Sequence, residues 1–269
     1  MKRVLSIQDL SCVGKCSLTV TLPVLSAMQC QCAVLPTAIL STHTAFPDPH
    51  RRLLTEDIAP VLRHWQSVGV TFDAVSVGYL ASPEQADAIL PVLDVYDRLI
   101  VIDPVMGDHG RLYSGITPEH ITALQRLCRK GHVLLPNVTE AALLTGLPYR
   151  ETTDQVYLQE LTAGMLQLGA DAVVITGISP KPDLTGFCAA QKQAAPFFYT
   201  ISRRTGRYHG TGDLFSAVFT GAYVNGKPLA DAATLAARFV EDVIAASGSA
   251  SPFGVAFESQ LPRLWEQMH

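Results

Sequence analysis

Late in the chain stands a run with the residue types of a phosphate site: His209-Gly210-Thr211-Gly212-Asp213-Leu214-Phe215-Ser216-Ala217. Two glycines flank a threonine at the head of a long apolar stretch. The backbone N–H groups of such a turn converge, and the dipole of the helix that follows adds positive potential. Gly210, Thr211 and Gly212 would therefore form an anion hole for a transferring phosphate. Asp213 falls in the first helical turn. A carboxylate there can take the proton of a hydroxyl as that hydroxyl attacks a γ-phosphate. Thr211 and Asp213 are also favourable capping types, so the run by itself leaves catalysis and capping evenly matched.

Two further runs shift that balance. Val101-Ile102-Asp103-Pro104-Val105-Met106-Gly107-Asp108-His109-Gly110-Arg111-Leu112-Tyr113 passes from a strand end into a glycine-bearing loop with two aspartates. Leu134-Leu135-Pro136-Asn137-Val138-Thr139-Glu140-Ala141 passes from a strand end into a helix. Asp108 and Glu140, from separate strand ends, suit a hydrated Mg²⁺, which takes one or two carboxylates together with substrate phosphates. Taken singly, Asp108 reads as an ordinary loop residue and Glu140 as decoration of a first helical turn. Other patterns fail. Gly221 to Lys227 matches a P-loop only until Pro228, which replaces the Mg²⁺-binding Ser/Thr, and a helix end at Asn225-Gly226 explains it better. There is no G-x-S-x-G, H-E-x-x-H or complete G-x-G-x-x-G in the chain, which removes support for a serine hydrolase, a zincin or a Rossmann dehydrogenase.

The elements that must carry these runs alternate. Strands are expected at Val4 to Gln8, Ala33 to Ser41 (broken at Pro36), Ala74 to Tyr79, Leu99 to Asp103, Val133 to Leu135 and Ala172 to Thr176. A hairpin is expected from Thr185 to Ala190 and Phe197 to Ser202. Helices are expected at Ser17 to Met28, Ile58 to Val68, Pro83 to Tyr96, Pro118 to Cys128, Thr139 to Thr145, Gln155 to Leu168, Thr211 to Val224, Leu229 to Ser247 and Glu258 to Gln267. Alternating strands and helices build an α/β fold with a mostly parallel central sheet and helices on both faces, a single domain over residues 1–269. Continuous apolar strands such as Leu99-Ile100-Val101-Ile102 fit a sheet covered on both sides. Ligands of such sheets gather at the carboxyl ends of the strands, which directs attention to Gln8-Asp9, Gly78-Tyr79, Asp103, Pro136-Asn137 and Thr176-Gly177.

Composition narrows the function classes. Of 269 residues, 48% are hydrophobic and only 16% charged, with a net charge of −4, against about 25% charged in an average soluble domain. That excludes disorder and offers no electrostatic footprint for nucleic acid or an anionic membrane. From Lys15 to Asp48 no charged residue occurs, a length that could span a bilayer. Pro23, Pro36 and several Ser, Thr and Gln residues interrupt it, so a buried helix followed by a buried strand is expected. Met1-Lys2-Arg3 leads straight into Val4-Leu5, which does not make a signal peptide, and a cytoplasmic protein is expected. Cys12/Cys16 and Cys30/Cys32 lack structural zinc spacing and read as reduced, mostly buried thiols.

Together the three runs resemble the ribokinase-like superfamily and, within it, the pyridoxal kinase branch. The resemblance extends through Val4-Leu5-Ser6-Ile7-Gln8, Ser41-Thr42-His43-Thr44 and Gly78-Tyr79-Leu80, so it covers nearly the whole chain. Asp103-Pro104-Val105-Met106-Gly107-Asp108 with the distal Leu112-Tyr113 is its more specific part. The resemblance implies a ribokinase-like fold and ATP-dependent phosphorylation of the 5′-hydroxymethyl group of a B6 vitamer, with ATP and Mg²⁺ and with a monovalent cation in some relatives. It implies Asp213 as catalytic base and Gly210, Thr211 and Gly212 as anion hole. Asp103, Tyr113, Asn137 and Thr176 fall at nucleotide positions, Asp108 and Glu140 at metal positions, and Thr44 and Tyr79 in the pyridine pocket. Dimers are common in that branch, and a homodimer is expected. Asp9 stands where relatives carry Ser toward the pyridine nitrogen; a carboxylate there favours a protonated ring nitrogen or an amino group, and so pyridoxamine. Leu135 replaces a common Thr, which weakens any potassium site, and Lys15 lies near the substrate mouth or simply in solvent. Arg203, Arg204 and Arg207 precede the anion hole, where one of them could neutralise phosphate charge. The rival readings are a hydroxymethylpyrimidine kinase and a non-catalytic vitamer-binding protein.

Overall fold

The structure, a computed structural model, describes residues 1–204, 206, 208–248 and 251–268; Arg207 lies outside the described residues. Eleven strands run in chain order as β1 (Lys2–Val13), β2 (Cys30–Thr42), β3 (Arg51–Leu53), β4 (Ala74–Val77), β5 (Ile100–Ile102), β6 (Gly107–Asp108), β7 (Arg111–Leu112), β8 (Val133–Leu134), β9 (Ala172–Ile178), β10 (Leu184–Gln191) and β11 (Phe197–Ser202). Nine of them make one sheet in the order β11-β10-β9-β8-β5-β4-β1-β2-β3, while β6 and β7 pair only with each other. From β9 to β2 every pairing is parallel. β3, β10 and β11 add antiparallel edges.

Successive side chains of a strand point to opposite faces, and here both faces are apolar. Ile100 and Ile102 enter one core while Val101 between them enters the other. Val173 and Ile175 likewise oppose Ala172 and Val174. The first core is closed by helices α2 (Thr55–Ser67), α3 (Pro83–Val95), α4 (Pro118–Cys128), α5 (Val138–Thr145) and α6 (Gln155–Gln167). The second is closed by α1 (Leu18–Ala27), α7 (Thr211–Val224), α8 (Leu229–Ser247) and α9 (Leu261–Gln267). Each buried Leu, Ile, Val or Phe contributes about 1.5–3 kcal/mol, so the low charge content is the composition of a sheet enclosed on both sides.

The uncharged stretch after Lys15 forms α1 and β2, and among the described residues no helix is long and apolar enough to cross a membrane. Several boundaries differ from expectation. β1 does not stop at Gln8: it pairs with β2 as far as Val13 opposite Thr42. The register slips between Gln8 and Leu10, where β2 advances from Pro36 to Ile39. This is a bulge opposite Asp9, and Pro36, which has no N–H to donate, sits at its start instead of breaking the strand. β9 continues past Thr176 to Ile178 because β10 pairs along it. The short strands β3, β6 and β7 carry too few residues to show a period. The last segment begins as a 3₁₀ turn, Glu258–Gln260, before α9. Cys12 is exposed and Cys16 and Cys32 are partly so, which leaves Cys30, Cys128 and Cys188 as the buried thiols.

Candidate active site

The carboxyl ends of the parallel strands open on one edge of the sheet, and four loops meet there. Their fit is governed by Gly210, the N-cap of α7, with φ of 82°. A β-carbon at Gly210 would lie 2.0 Å from the Lys15 carbonyl oxygen, so the turn after β1 rests directly on the head of α7. Gly254, with φ of 103°, is pressed in the same way against Lys15 and against His209 O. The Lys15 N–H donates to Phe253 O at 2.7 Å, and the Val255 N–H to His209 O at 3.2 Å. His43 completes the junction, its Nε2 2.8 Å from Pro252 O and its ring 5.3 Å from that of His209. Phe46 packs on His43 and on Phe253.

The first intrahelical bond of α7 is Leu214 N–H to Gly210 O at 3.0 Å. The N–H groups of Thr211, Gly212 and Asp213 therefore have no acceptor within the helix. Nothing stands within 4 Å of where a Gly212 β-carbon would be, so that side of the turn is open. Thr211 turns its hydroxyl to Tyr208 O at 3.1 Å.

Asp213 faces this space. Burial pushes its carboxyl up to about 7; the nearby Ser17 backbone pulls the other way, and Asp9 adds like-charge repulsion. Asp9 is buried on β1 opposite the bulge of β2. Its carboxylate accepts the Ser17 hydroxyl at 2.5 Å and the Ser11 hydroxyl at 3.0 Å. Burial raises the Asp9 carboxyl, and the two hydroxyls and His43 offset part of that. Tyr79, after β4, feels the same Asp9 charge, second to its own burial. Asp9, Ser11, Ser17, Tyr79 and Asp213 thus converge. The Cys16 thiol lies among them and is pushed up to about 12, mainly by burial and next by Asp213. At that value the thiol stays protonated at neutral pH and is a poor nucleophile.

A second group of acids lies beyond. Asn137 and Glu140 form a capping box at the head of α5, with Asn137 N–H to Glu140 Oε2 at 2.9 Å and Glu140 N–H to Asn137 Oδ1 at 3.0 Å. Glu140 also accepts the Met106 N–H at 3.0 Å. The β6–β7 hairpin is thereby docked on α5, further held by Asn137 Nδ2 to Gly107 O at 2.8 Å and Gly110 N–H to Thr139 Oγ1 at 2.9 Å. Burial raises both Asp103 and Glu140; the Glu140 and Asp213 charges add to it at Asp103, and the Asp108 charge at Glu140. The Tyr113 phenol is pushed up by burial and then by the charges of Glu140, Asp108, Asp103 and Asp213. Four carboxylates therefore act on one place, an arrangement that a divalent cation relieves. Among the described residues no three His, Cys, Asp or Glu groups form a ready cage. Both Glu140 oxygens already accept backbone N–H groups, and Asp108 is exposed and bonded to the His109 N–H at 2.7 Å. The donor set suits a cation that keeps its waters and shares phosphate oxygens, which is the habit of Mg²⁺ and not of a dehydrated structural metal.

The remaining expected residues are placed as follows. Thr176 pairs with Asn137 as an isolated bridge between β9 and the head of α5. Thr44 lies exposed in a turn, while its neighbour His43 is the buried member of the junction. Lys15 is ion-paired to Glu258 at 2.8 Å instead of lying free in solvent. Arg203 and Arg204 are exposed; the Arg203 charge acts on Tyr149, which also feels Asp108 and packs on Gly110. Sequence reasoning missed Ser17, Ser11, His43 and Phe253. For Phe253 the available signal was Pro252-Phe253-Gly254, a turn composition that interrupts two helices; a serine gives no sequence signal of its backbone angle.

Residues 21–254 match the model of a family described as phosphomethylpyrimidine kinase. A pyridoxine/pyridoxal/pyridoxamine kinase of Bordetella pertussis is 30% identical over 262 residues, covering 90% of this chain and 88% of that protein. A Bacteroides thetaiotaomicron protein described as a phosphomethylpyrimidine kinase and solved with pyridoxal superposes with a TM-score of 0.93 at 33% identity, covering 98% of this chain and 95% of the other. The pyridoxal kinase of Lactobacillus plantarum superposes with a TM-score of 0.91 at 34% identity, covering 99% and 98%.

Proposed function

The chain belongs to the phosphomethylpyrimidine kinase family and is a phosphotransferase with an alcohol group as acceptor, and from that premise we propose that it phosphorylates the 5′-hydroxymethyl group of a B6 vitamer with ATP. The observation that carries this reading is Asp213, held at the head of α7 between the open turn at Gly212 and the buried Asp9. The vitamer ring lies against Tyr79 with its nitrogen or amino edge toward Asp9, and Thr44 closes the mouth. The hydroxymethyl oxygen attacks the γ-phosphorus, its proton passes to an Asp213 carboxylate oxygen, and the bond to the β,γ-bridging oxygen breaks to release ADP. The N–H groups of Gly210, Thr211 and Gly212 hold the charge that develops on the transferring phosphoryl group. Asp103, Tyr113, Asn137 and Thr176 line the nucleotide side, and Asn137 and Glu140 fix the β6–β7 hairpin from which Asp108 projects. Asp108 and Glu140 would hold Mg²⁺, which would supply positive charge to the phosphates.

The carboxylate at position 9 favours a substrate that brings a proton or a positive charge to that edge, which supports pyridoxamine or a ring protonated on nitrogen. A hydroxymethylpyrimidine/phosphomethylpyrimidine kinase of Bacillus subtilis, 27% identical over 178 residues, supports hydroxymethylpyrimidine as the competing substrate, a ring with the same primary alcohol. ADP release by the purified protein against pyridoxamine, pyridoxal, pyridoxine and hydroxymethylpyrimidine decides between them. The B6 vitamers are expected to turn over with the higher kcat/KM. Preference for hydroxymethylpyrimidine replaces the substrate assignment, and saturable vitamer binding without ADP release replaces the enzymatic one.

A further inference from the structure

Opposite Asp9 the sheet carries one residue more than regular pairing accommodates: between Pro36 and Ile39, β2 sets both Thr37 and Ala38 against Asp9. A bulge leaves backbone groups outside the ladder, and buried ones must find partners elsewhere. Here the partner is Gln85, in the first turn of α3 and fully buried. Its Nε2 donates to Thr37 O at 2.7 Å and to Thr55 Oγ1 at 3.2 Å, and its Oε1 accepts the Ala81 N–H at 2.8 Å. The buried Thr37 in turn donates its hydroxyl to Tyr79 O at 3.3 Å. The stretch from Tyr79 to Ala81 is thus held at both ends, with the tyrosine packed on Ala38, Leu40 and Ala81. Packing alone would be served by a leucine of similar size, whereas a buried amide is costly unless each of its groups is satisfied. The glutamine therefore does what an apolar residue cannot: it fixes the backbone of one loop against that of a strand.

We propose that Gln85 is a positioning residue of the acceptor pocket: its buried amide fastens the loop after β4 to the bulge of β2, and so sets the Tyr79 ring relative to Asp9. Thr37 is the common point. Its carbonyl takes Gln85, its hydroxyl holds Tyr79, and its register places it against Asp9. The inference rests on the reading of Tyr79 as the wall that carries the substrate ring, and it gives Gln85 no contact with substrate, nucleotide or the reacting atoms. None of the partners of Gln85 belongs to the head of α7 or to the β6–β7 hairpin, so its effect is confined to the acceptor side.

A double-mutant cycle separates positioning from a purely structural role. Gln85→Leu keeps the volume and removes all three hydrogen bonds, and Tyr79→Ala removes the wall itself. Steady-state ADP release with ATP and the preferred ring substrate should show KM for that substrate raised about tenfold in Gln85→Leu, with kcat and KM for ATP within about threefold of wild type. In the Tyr79→Ala background the same substitution should change that KM by less than about twofold, because the group it positions is gone. A structural glutamine would lower the melting temperature and leave the kinetic constants of the folded enzyme unmoved, and that result overturns the proposal. So does an equal rise in KM with and without Tyr79, or a loss confined to kcat or to KM for ATP. Should Gln85→Leu not fold, Thr37→Val decides: it removes only the hydroxyl on Tyr79 O and should raise KM for the ring substrate about two- to fivefold, but not in the Tyr79→Ala background. An unchanged KM in Thr37→Val then overturns the proposal. Tyr79→Ala alone keeps the two readings apart. Unchanged KM there defeats the assignment of the wall and this inference with it, whereas a raised KM with an additive Gln85→Leu effect defeats only the role of Gln85.

Discussion

Replacing each glycine of the phosphate turn by alanine should pull stability and activity in different directions. At Gly210 the added methyl lands 2.0 Å from Lys15 O and 3.2 Å from its carbonyl carbon, on a backbone with φ of 82°. The left-handed angle costs an alanine about 1–2 kcal/mol, and the overlap about 1–3 kcal/mol more after relaxation. For a chain of this size that lowers Tm by roughly 5–15 °C. To clear the overlap, the turn after β1 and the head of α7 must part by about 1 Å, a displacement large enough to cost about a hundredfold in turnover. Gly212 is the opposite case. It is not strained, and a β-carbon there meets nothing within 4 Å. Alanine in place of glycine in a helix stabilises by up to about 1 kcal/mol, so Tm holds or rises by roughly 2–4 °C. The methyl nevertheless fills the space through which a phosphate oxygen would reach the backbone N–H groups, and kcat/KM for ATP should fall more than about tenfold, beyond what one crowded methylene costs. Thermal melts and ADP release on the two variants read both quantities. Wild-type kcat/KM in Gly212→Ala would refute phosphate binding on that turn, and a wild-type melt in Gly210→Ala would refute the interlock.

Asp213→Asn should lower kcat by about 10²–10⁴. Wild-type activity should rise with pH through about 7, as the base ionises, and the residual activity of the variant should lack that limb. The same group sets a stability trend. Its folded value of about 7 lies above its ordinary 3.8, so wild-type stability declines as pH rises through that window. Asp213→Asn cannot ionise, so its Tm relative to wild type should climb from pH 4 to pH 7, and a constant difference would contradict the burial of the carboxylate. Glu140→Ala strips the acceptor from the N–H groups of Asn137 and Met106. It should cost about 2–5 kcal/mol and raise the Mg²⁺ concentration for half-maximal activity, and an unchanged melt would show that the hairpin docks by other means. Asp9→Ser should lower the kcat/KM ratio of pyridoxamine to pyridoxal by about tenfold, the worth of one charge-assisted hydrogen bond; an unchanged ratio sinks the assignment of that carboxylate to the substrate edge.

The strands were legible where burial on both faces leaves no polar residue to confuse the period, as at Ile100-Val101-Ile102 and Val173-Val174-Ile175. The head of α7 was legible because its glycines and aspartate are adjacent in sequence. Asp9 was misplaced by one element boundary: the polar pair Gln8-Asp9 after Val4-Leu5-Ser6-Ile7 reads as a strand end. Only the pairing with β2, fixed by residues about thirty positions away, shows that β1 continues around a bulge. The exposure of Thr44 and the burial of His43 depend on Pro252 and Phe253, which no local pattern links to them. Ser17 is the hardest case, since its backbone angle, φ of 49°, follows from contacts to Asp9 and from the tight approach at Gly210, and its own side chain prefers otherwise. Residues whose role is chemical were readable from their type. Those that hold them in place depend on the fold.

The junction of residue 15 with residues 253 and 258 has a consequence for the order of events at the ribosome. The Lys15–Glu258 pair closes a separation of 243 positions, and the turn at Lys15, which rests on the head of α7, is bonded to Phe253 O as well. The sheet can assemble strand by strand from the amino end, since β1, β2, β4 and β5 are all made early. A nascent chain halted before Phe253 emerges would therefore carry a nearly finished sheet with an unfinished pocket. Catalytic competence arrives only once Phe253 and Glu258 are translated, and a vitamer added to stalled nascent chains of increasing length should find its site only in those that extend past them.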